Sequence, residues 1–172
     1  MRINVKDLVE IFLILFLAFF IYRVLMPIAF GHPYTLTVVV SGSMMHVENL
    51  DKKHYEFLEK NFGYNKSFID SWPLKKGFGI GDILVVLKSK NYSVGDVIVF
   101  ENKCQKIPIA HRIIYINSDG TYQTKGDNNY SQNPSICYNE KKISEDEIYG
   151  KVVFVIPKIG LIRYLIYLIL GF

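Results

Sequence analysis

The stretch "AHRIIYINSDGTYQTKGD", residues 110–127, reads as two strands and the turn between them. β-branched and aromatic residues crowd 110–116 and return in 121–125. The Asp119-Gly120 pair between them accepts the positive φ angles that a tight hairpin demands. Working outward, the same signature predicts strands over 36–40, 83–87, 97–101 and 149–156. In "GIGDILVV" (79–86) and "SVGDVIVF" (93–100) a Gly-Asp turn launches a strand, so Asp82 and Asp96 read as turn residues. Short strands punctuated by Gly, Asn and Asp describe a mainly β, antiparallel domain.

The pattern fails in two kinds of place. Residues 46–79 carry a helical spacing, with Tyr55, Leu58 and Phe62 on one face, Asp51 as a cap and Gly63 as a stop. This segment reads as a helical insertion. Its many aromatic residues suit either a small satellite core or a contact surface. At the ends the chain turns apolar. "IFLILFLAFFIYRVLMPIAF" (11–30) has about the 20 residues that a bilayer core requires, with Pro27 and Gly31 to end the helix. The rival reading is a cleaved signal peptide, since Arg2 and Lys6 precede the apolar run. "IGLIRYLIYLILGF" (159–172) is too short to span and fits a membrane-associated helix, or else a buried core helix.

The 172 residues allow one domain plus an anchor, and the net charge of +4 is scattered, which argues against a nucleic-acid partner. Two cysteines, Cys104 and Cys137, make no zinc framework; outside the cytoplasm they are candidates for one disulfide.

A hydroxyl needs a base within reach before it becomes a nucleophile, and "SGSMMH" (41–46) read alone is a polar turn. Of the four histidines, His111 stands out at the start of a β-patterned strand where an apolar residue is expected, and His46 competes by lying three residues after Ser43. Asp127 ends the strand paired with that of His111, so the two can meet at one end of a hairpin.

The ordered set "SGSM" (41–44), "GDILVV" (81–86), "VGDVIVF" (94–100), "HRI" (111–113) and "KGDNN" (125–129), behind an apolar anchor, resembles the signal peptidase I family. Histidine in "AHRI" is similar to the archaeal and endoplasmic-reticulum type, where the bacterial enzymes have lysine. The resemblance implies an anchor over 1–31, a β-rich catalytic domain over 32–157 with 46–79 inserted, and a short apolar helix over 158–172. It implies Ser43 as nucleophile, His111 as general base and acid, and the Ser43 N–H with the Ser41 hydroxyl as oxyanion donors. It also implies a single-pass protein with its catalytic domain on the extracytoplasmic side of the membrane. Its partners would be exported precursors, the lipid bilayer and the protein-export machinery, and it would need no metal or organic cofactor. An extended substrate would lie along 35–40, contacting Leu36, Val38 and Val40.

The sequence departs from the family pattern at His46, where proline is usual, and at Asn133, where a second aspartate usually follows the Gly-Asp turn. Asp127 is the preferred partner for His111, with Asn133 the alternative. Two other readings stay open, a maturation protease for particular surface or pilus proteins and an inactive membrane subunit that keeps the fold.

Overall fold

The computed structural model describes residues 4–47, 50–105 and 107–161 together with Leu165 and Ile169, and it divides into two compact units, Met1–Thr35 and Leu36–Phe172. The first unit is dominated by the helical run Val5–Phe30, whose 26 residues are long and apolar enough to cross a bilayer. Asn4 caps it reciprocally with Asp7. Pro27 does not end this helix. It has no N–H for the Arg23 carbonyl and crowds it, and the preceding turn Ile21–Leu25 widens so that the Met26 N–H reaches Ile21 O; Gly31, at φ 74°, is the stop.

The second unit is built on a six-stranded antiparallel sheet in the order β1-β2-β8-β3-β4-β5, comprising β1 Leu36–Val38, β2 Ile83–Leu87, β3 Val97–Phe100, β4 Ile109–Ile116, β5 Tyr122–Lys125 and β8 Ile148–Ile156. All six correspond to expected strands, and the bounds move by two residues at most. A two-stranded ribbon, β6 Pro134–Ser135 with β7 Tyr138–Asn139, was not expected; each strand is too short to carry a period. Asp82 and Asp96 hold turns, accepting from the Gly79 and Ser93 N–H groups, with Gly81 and Gly95 at positive φ beside them.

Both faces of the sheet are covered, which is why β3 is buried at all four positions. Val97 and Val99 face one way, with Met44, Phe78, Leu84 and Val86. Ile98 and Phe100 face the other, with Ile113, Tyr122, Ile143 and Ile148. The alternation follows the pleat, which turns successive side chains to opposite faces.

The segment 46–79 leaves the sheet after Met45 and returns at Gly77, where those two residues form an isolated bridge. Within it run the helical stretches Asp51–Glu56, Phe57–Phe62 and Lys66–Asp70. Leu50 already has helical backbone angles, so the helix starts before Asp51, and Gly63 closes it. Leu58, Ile69 and Trp72 are buried against Ile114 of β4, so these apolar side chains form a satellite core. The apolar helix expected over 158–172 falls largely outside the described residues.

Candidate active site

Beyond Val38 the chain leaves the sheet, tied to the turn before β2 by Val39 N–H to Asp82 O (2.9 Å) and Gly81 N–H to Val39 O (2.9 Å). It then tightens into a turn closed by Met45 N–H to Gly42 O (3.1 Å), with Met44 only 1% exposed as its root in the core. Residues 126–129 clamp this turn from the other side. Asn128 donates its backbone N–H to Ser43 O (2.8 Å) and its side-chain amide to Gly42 O (3.0 Å). A Cβ on Gly126 would lie 2.8 Å from Ser43 O, so the close approach requires glycine. Ser43 is thereby held half-buried, with its Oγ 3.2 Å from the Oγ of exposed Ser41.

His111 lies near the start of β4, opposite Ile98 of β3, and is buried. Its Nδ1 is 2.5 Å from Oε1 of Glu140, a side chain with no exposure at all. The other carboxylate oxygen accepts the Asn133 backbone N–H. Glu140 follows β7 and runs beside β5, its carbonyl accepting the Thr124 N–H at 2.7 Å.

Asp127 is not the partner of His111. Its carboxylate takes Arg112 Nε (2.9 Å) and Nη2 (2.7 Å) on its two oxygens, with His46 Nε2 at 2.9 Å. The pleat explains the correction. Arg112 pairs with Lys125, so Asp127, two residues beyond, keeps the side of Arg112 and is turned away from that of His111. Thr124 pairs with Ile113, which shares the side of His111, and it is beside Thr124 that Glu140 enters. The side chain of Asn133, the other candidate, is exposed and donates to the Tyr138 hydroxyl.

The Asp127 network is a buried brace behind the Ser43 turn. Burial works to raise the Asp127 pKa, but the Arg112 charge and the hydrogen bonds from His46 and Arg112 outweigh it, and the carboxyl is held well below its ordinary value. His54 Nδ1 lies 3.4 Å from Asp127 Oδ1 without hydrogen-bond geometry. There burial wins over the pull of Asp127, and the pKa of His54 is pushed down to about 4, leaving it neutral. Lys125, pushed down to about 8 by burial, donates to the carbonyls of Lys53, Gly126 and Asn129, joining the clamp to the helical segment. Two histidines and a carboxylate invite a metal reading, but Arg112 occupies Asp127, and among the described residues no three His, Cys, Asp or Glu converge as ligands.

Ser41, Ser43 and His111 line one cleft of about 270 Å³. Val38 and Val40 line it together with Thr37 and Val39, because the chain departs from regular strand geometry after Val38. Leu36 does not line it; it pairs with Val85, farther back along the sheet. The opposite wall includes Asn102, Gln105, Ile107 and Pro108, from the loop after β3. Cys104 in that loop is joined to Cys137 at the tip of the β6–β7 ribbon, with Cα atoms 5.1 Å apart. The disulfide thus links a cleft wall to the ribbon that leads into Glu140.

Glu140 is the site residue that the sequence reading missed. It sits 29 residues from His111 among other acids in "NEKKISEDE", with no spacing to mark it. The available signals were the vacant carboxylate position at Asn133 and the Cys104–Cys137 link, which returns the ribbon to the sheet.

No family model matches the chain. Among curated proteins it is similar to the signal peptidase complex catalytic subunit SEC11 of Komagataella phaffii, at 34% identity over 107 residues, 56% of this chain and 63% of that protein. The subunit of the same name from Dictyostelium discoideum is 33% identical over 48% of this chain and 49% of its own length. That from Saccharomyces cerevisiae is 35% identical over 54% and 59%. The matches therefore span 49% to 63% of these relatives' lengths. The resemblance drawn from five short motifs thus agrees with relatives named as catalytic subunits of the signal peptidase complex.

Proposed function

We propose that this chain is a membrane-anchored serine endopeptidase that removes N-terminal signal peptides from exported precursor proteins. The observation that carries this reading is the convergence of Ser43 and His111 on one cleft beside the edge strand β1, in a chain similar to proteins named as catalytic subunits of signal peptidase.

With Nδ1 of His111 engaged by a carboxylate, Nε2 is the nitrogen left to take the Ser43 proton. Ser43 Oγ attacks the scissile carbonyl as that proton moves to His111. The oxyanion is received by the Ser43 N–H and the Ser41 hydroxyl, and His111 returns the proton to the leaving amine. Water then hydrolyses the acyl-enzyme by the same proton path in reverse. These steps use the side chains of Ser43, His111 and Ser41, one backbone N–H and water.

Substrate in this reading is an extended peptide laid beside the outermost strand β1, where 37–40 line the cleft. A cleft of about 270 Å³, walled by valines and by Ile107 and Pro108, favours small side chains next to the cleaved bond. Residues beyond the Val5–Phe30 helix lie on the extracytoplasmic side, where the bilayer confines enzyme and signal peptide together and raises their effective concentration.

The test is cleavage of a signal-peptide-bearing precursor by the full chain in liposomes. Ser43→Ala and His111→Ala are each expected to lower the rate by about 10⁴-fold or more, while His46→Ala, outside the cleft, retains most of it. Activity surviving in Ser43→Ala refutes the reading.

A further inference from the structure

We propose that Glu140 is the positioning residue for the base, fixing the tautomer of His111 and stabilising its imidazolium during proton transfer. The proposal rests on the reading of Ser43 and His111 given above.

Three observations carry it. Glu140 is completely buried, and a buried carboxylate without partners is costly, so its orientation is set by the groups it accepts from. Those are His111 Nδ1 on Oε1 and the Asn133 backbone N–H on Oε2. In this proposal the Glu140 carboxylate accepts on both oxygens, so Nδ1 carries the ring proton and the Nε2 lone pair is left toward the cleft. The backbone around Glu140 is also pinned, by Thr124 N–H (2.7 Å) and by the Gln132 side-chain amide (3.0 Å) on its carbonyl. Such support is what an orienting group needs.

The alternatives in the sequence are occupied elsewhere. Asp127 is bound by Arg112 and His46, and the Asn133 side chain is exposed on Tyr138. The carboxylate that the family pattern would place at 133 is supplied here from seven positions further on. Asn133 contributes only its backbone N–H, and contributes it to that same carboxylate.

The step is a proton transfer with nothing left over. Ser43 loses its proton to Nε2, the imidazolium charge appears beside the Glu140 carboxylate, and the Nδ1 proton stays on the ring. Glutamine at 140 retains one acceptor but presents an amide N–H, so it cannot serve both His111 and the Asn133 N–H.

The experiment compares Glu140→Gln, Glu140→Asp and Ser43→Ala in the full chain, using precursor cleavage, pH–rate profiles and the NMR signature of the His111 ring proton. Glu140→Gln is expected to lower kcat by about 10³- to 10⁴-fold with KM little changed, as for loss of an orienting carboxylate elsewhere. Glu140→Asp is expected to recover part of that loss. In the unsubstituted protein a far-downfield proton resonance assigned to Nδ1, absent from His111→Gln, is the expected sign of a charge-assisted bond. If Glu140→Gln fails to fold, this resonance decides the matter. Wild-type kcat in a folded Glu140→Gln variant, or an Nδ1 without its proton in the unsubstituted protein, overturns the proposal. Either result leaves the enzyme assignment standing provided Ser43→Ala is inactive, whereas an active Ser43→Ala variant removes the assignment itself.

Discussion

His54 is buried with 3% exposure and held neutral beside a carboxylate whose charge Arg112 already takes. Its folded pKa of about 4 lies below the ordinary 6.5, so between those values the unfolded chain binds a proton that the folded chain does not. Stability therefore falls as pH falls through that window, by about 3 kcal/mol from pH 7 to 4. Thermal denaturation in detergent at pH 7 and 4.5 should show this slope, and His54→Gln should flatten it. At the same scale, Ser43, Ser41 and His111 were legible through the order of the motifs that the resemblance rests on, since "SGSMMH" alone reads as a polar turn, and the structure places all three on one cleft. Asp127 was misassigned for a definable reason. Closeness along a hairpin was read without the side of the sheet, and a one-residue change of parity moved the carboxylate from His111 to Arg112.

Among elements, the six main strands were readable from runs of β-branched and aromatic residues, most of them next to Gly, Asn or Asp turns. The β6–β7 ribbon was not, being held by the disulfide and by contacts to β5 and not by any period of its own. The helical segment was recognised by spacing, while its role as a satellite core on Ile114 depends on tertiary contacts that no local pattern carries. The element most exposed to a small change is the 126–129 turn. Gly126→Ala sets a methyl 2.8 Å from Ser43 O, and the Ser43 turn must yield because the clamp is braced by Lys125 and Arg112. The expected result is a fall in kcat on the order of 10²-fold with a modest change in melting temperature. Precursor cleavage and calorimetry on the same sample separate the two effects.

At the scale of the whole molecule, the Cys104–Cys137 bond spans 33 residues of chain. Closing such a loop contributes about 3–4 kcal/mol to stability through the unfolded state. Its position matters more than this figure, since one end sits in a cleft wall and the other in the ribbon that leads to Glu140. Cys104→Ser with Cys137→Ser, or mild reduction, should therefore lower kcat as well as the melting temperature, and reoxidation should restore both in the unsubstituted protein. Unchanged kcat after complete reduction would show that the ribbon holds its place unaided. If the link is required and the proposed activity holds, a freshly synthesised chain cleaves poorly and reaches its full rate only where thiols are oxidised. Proteins that stay in the reducing cytoplasm would then be spared by timing and geography as much as by the shape of the cleft.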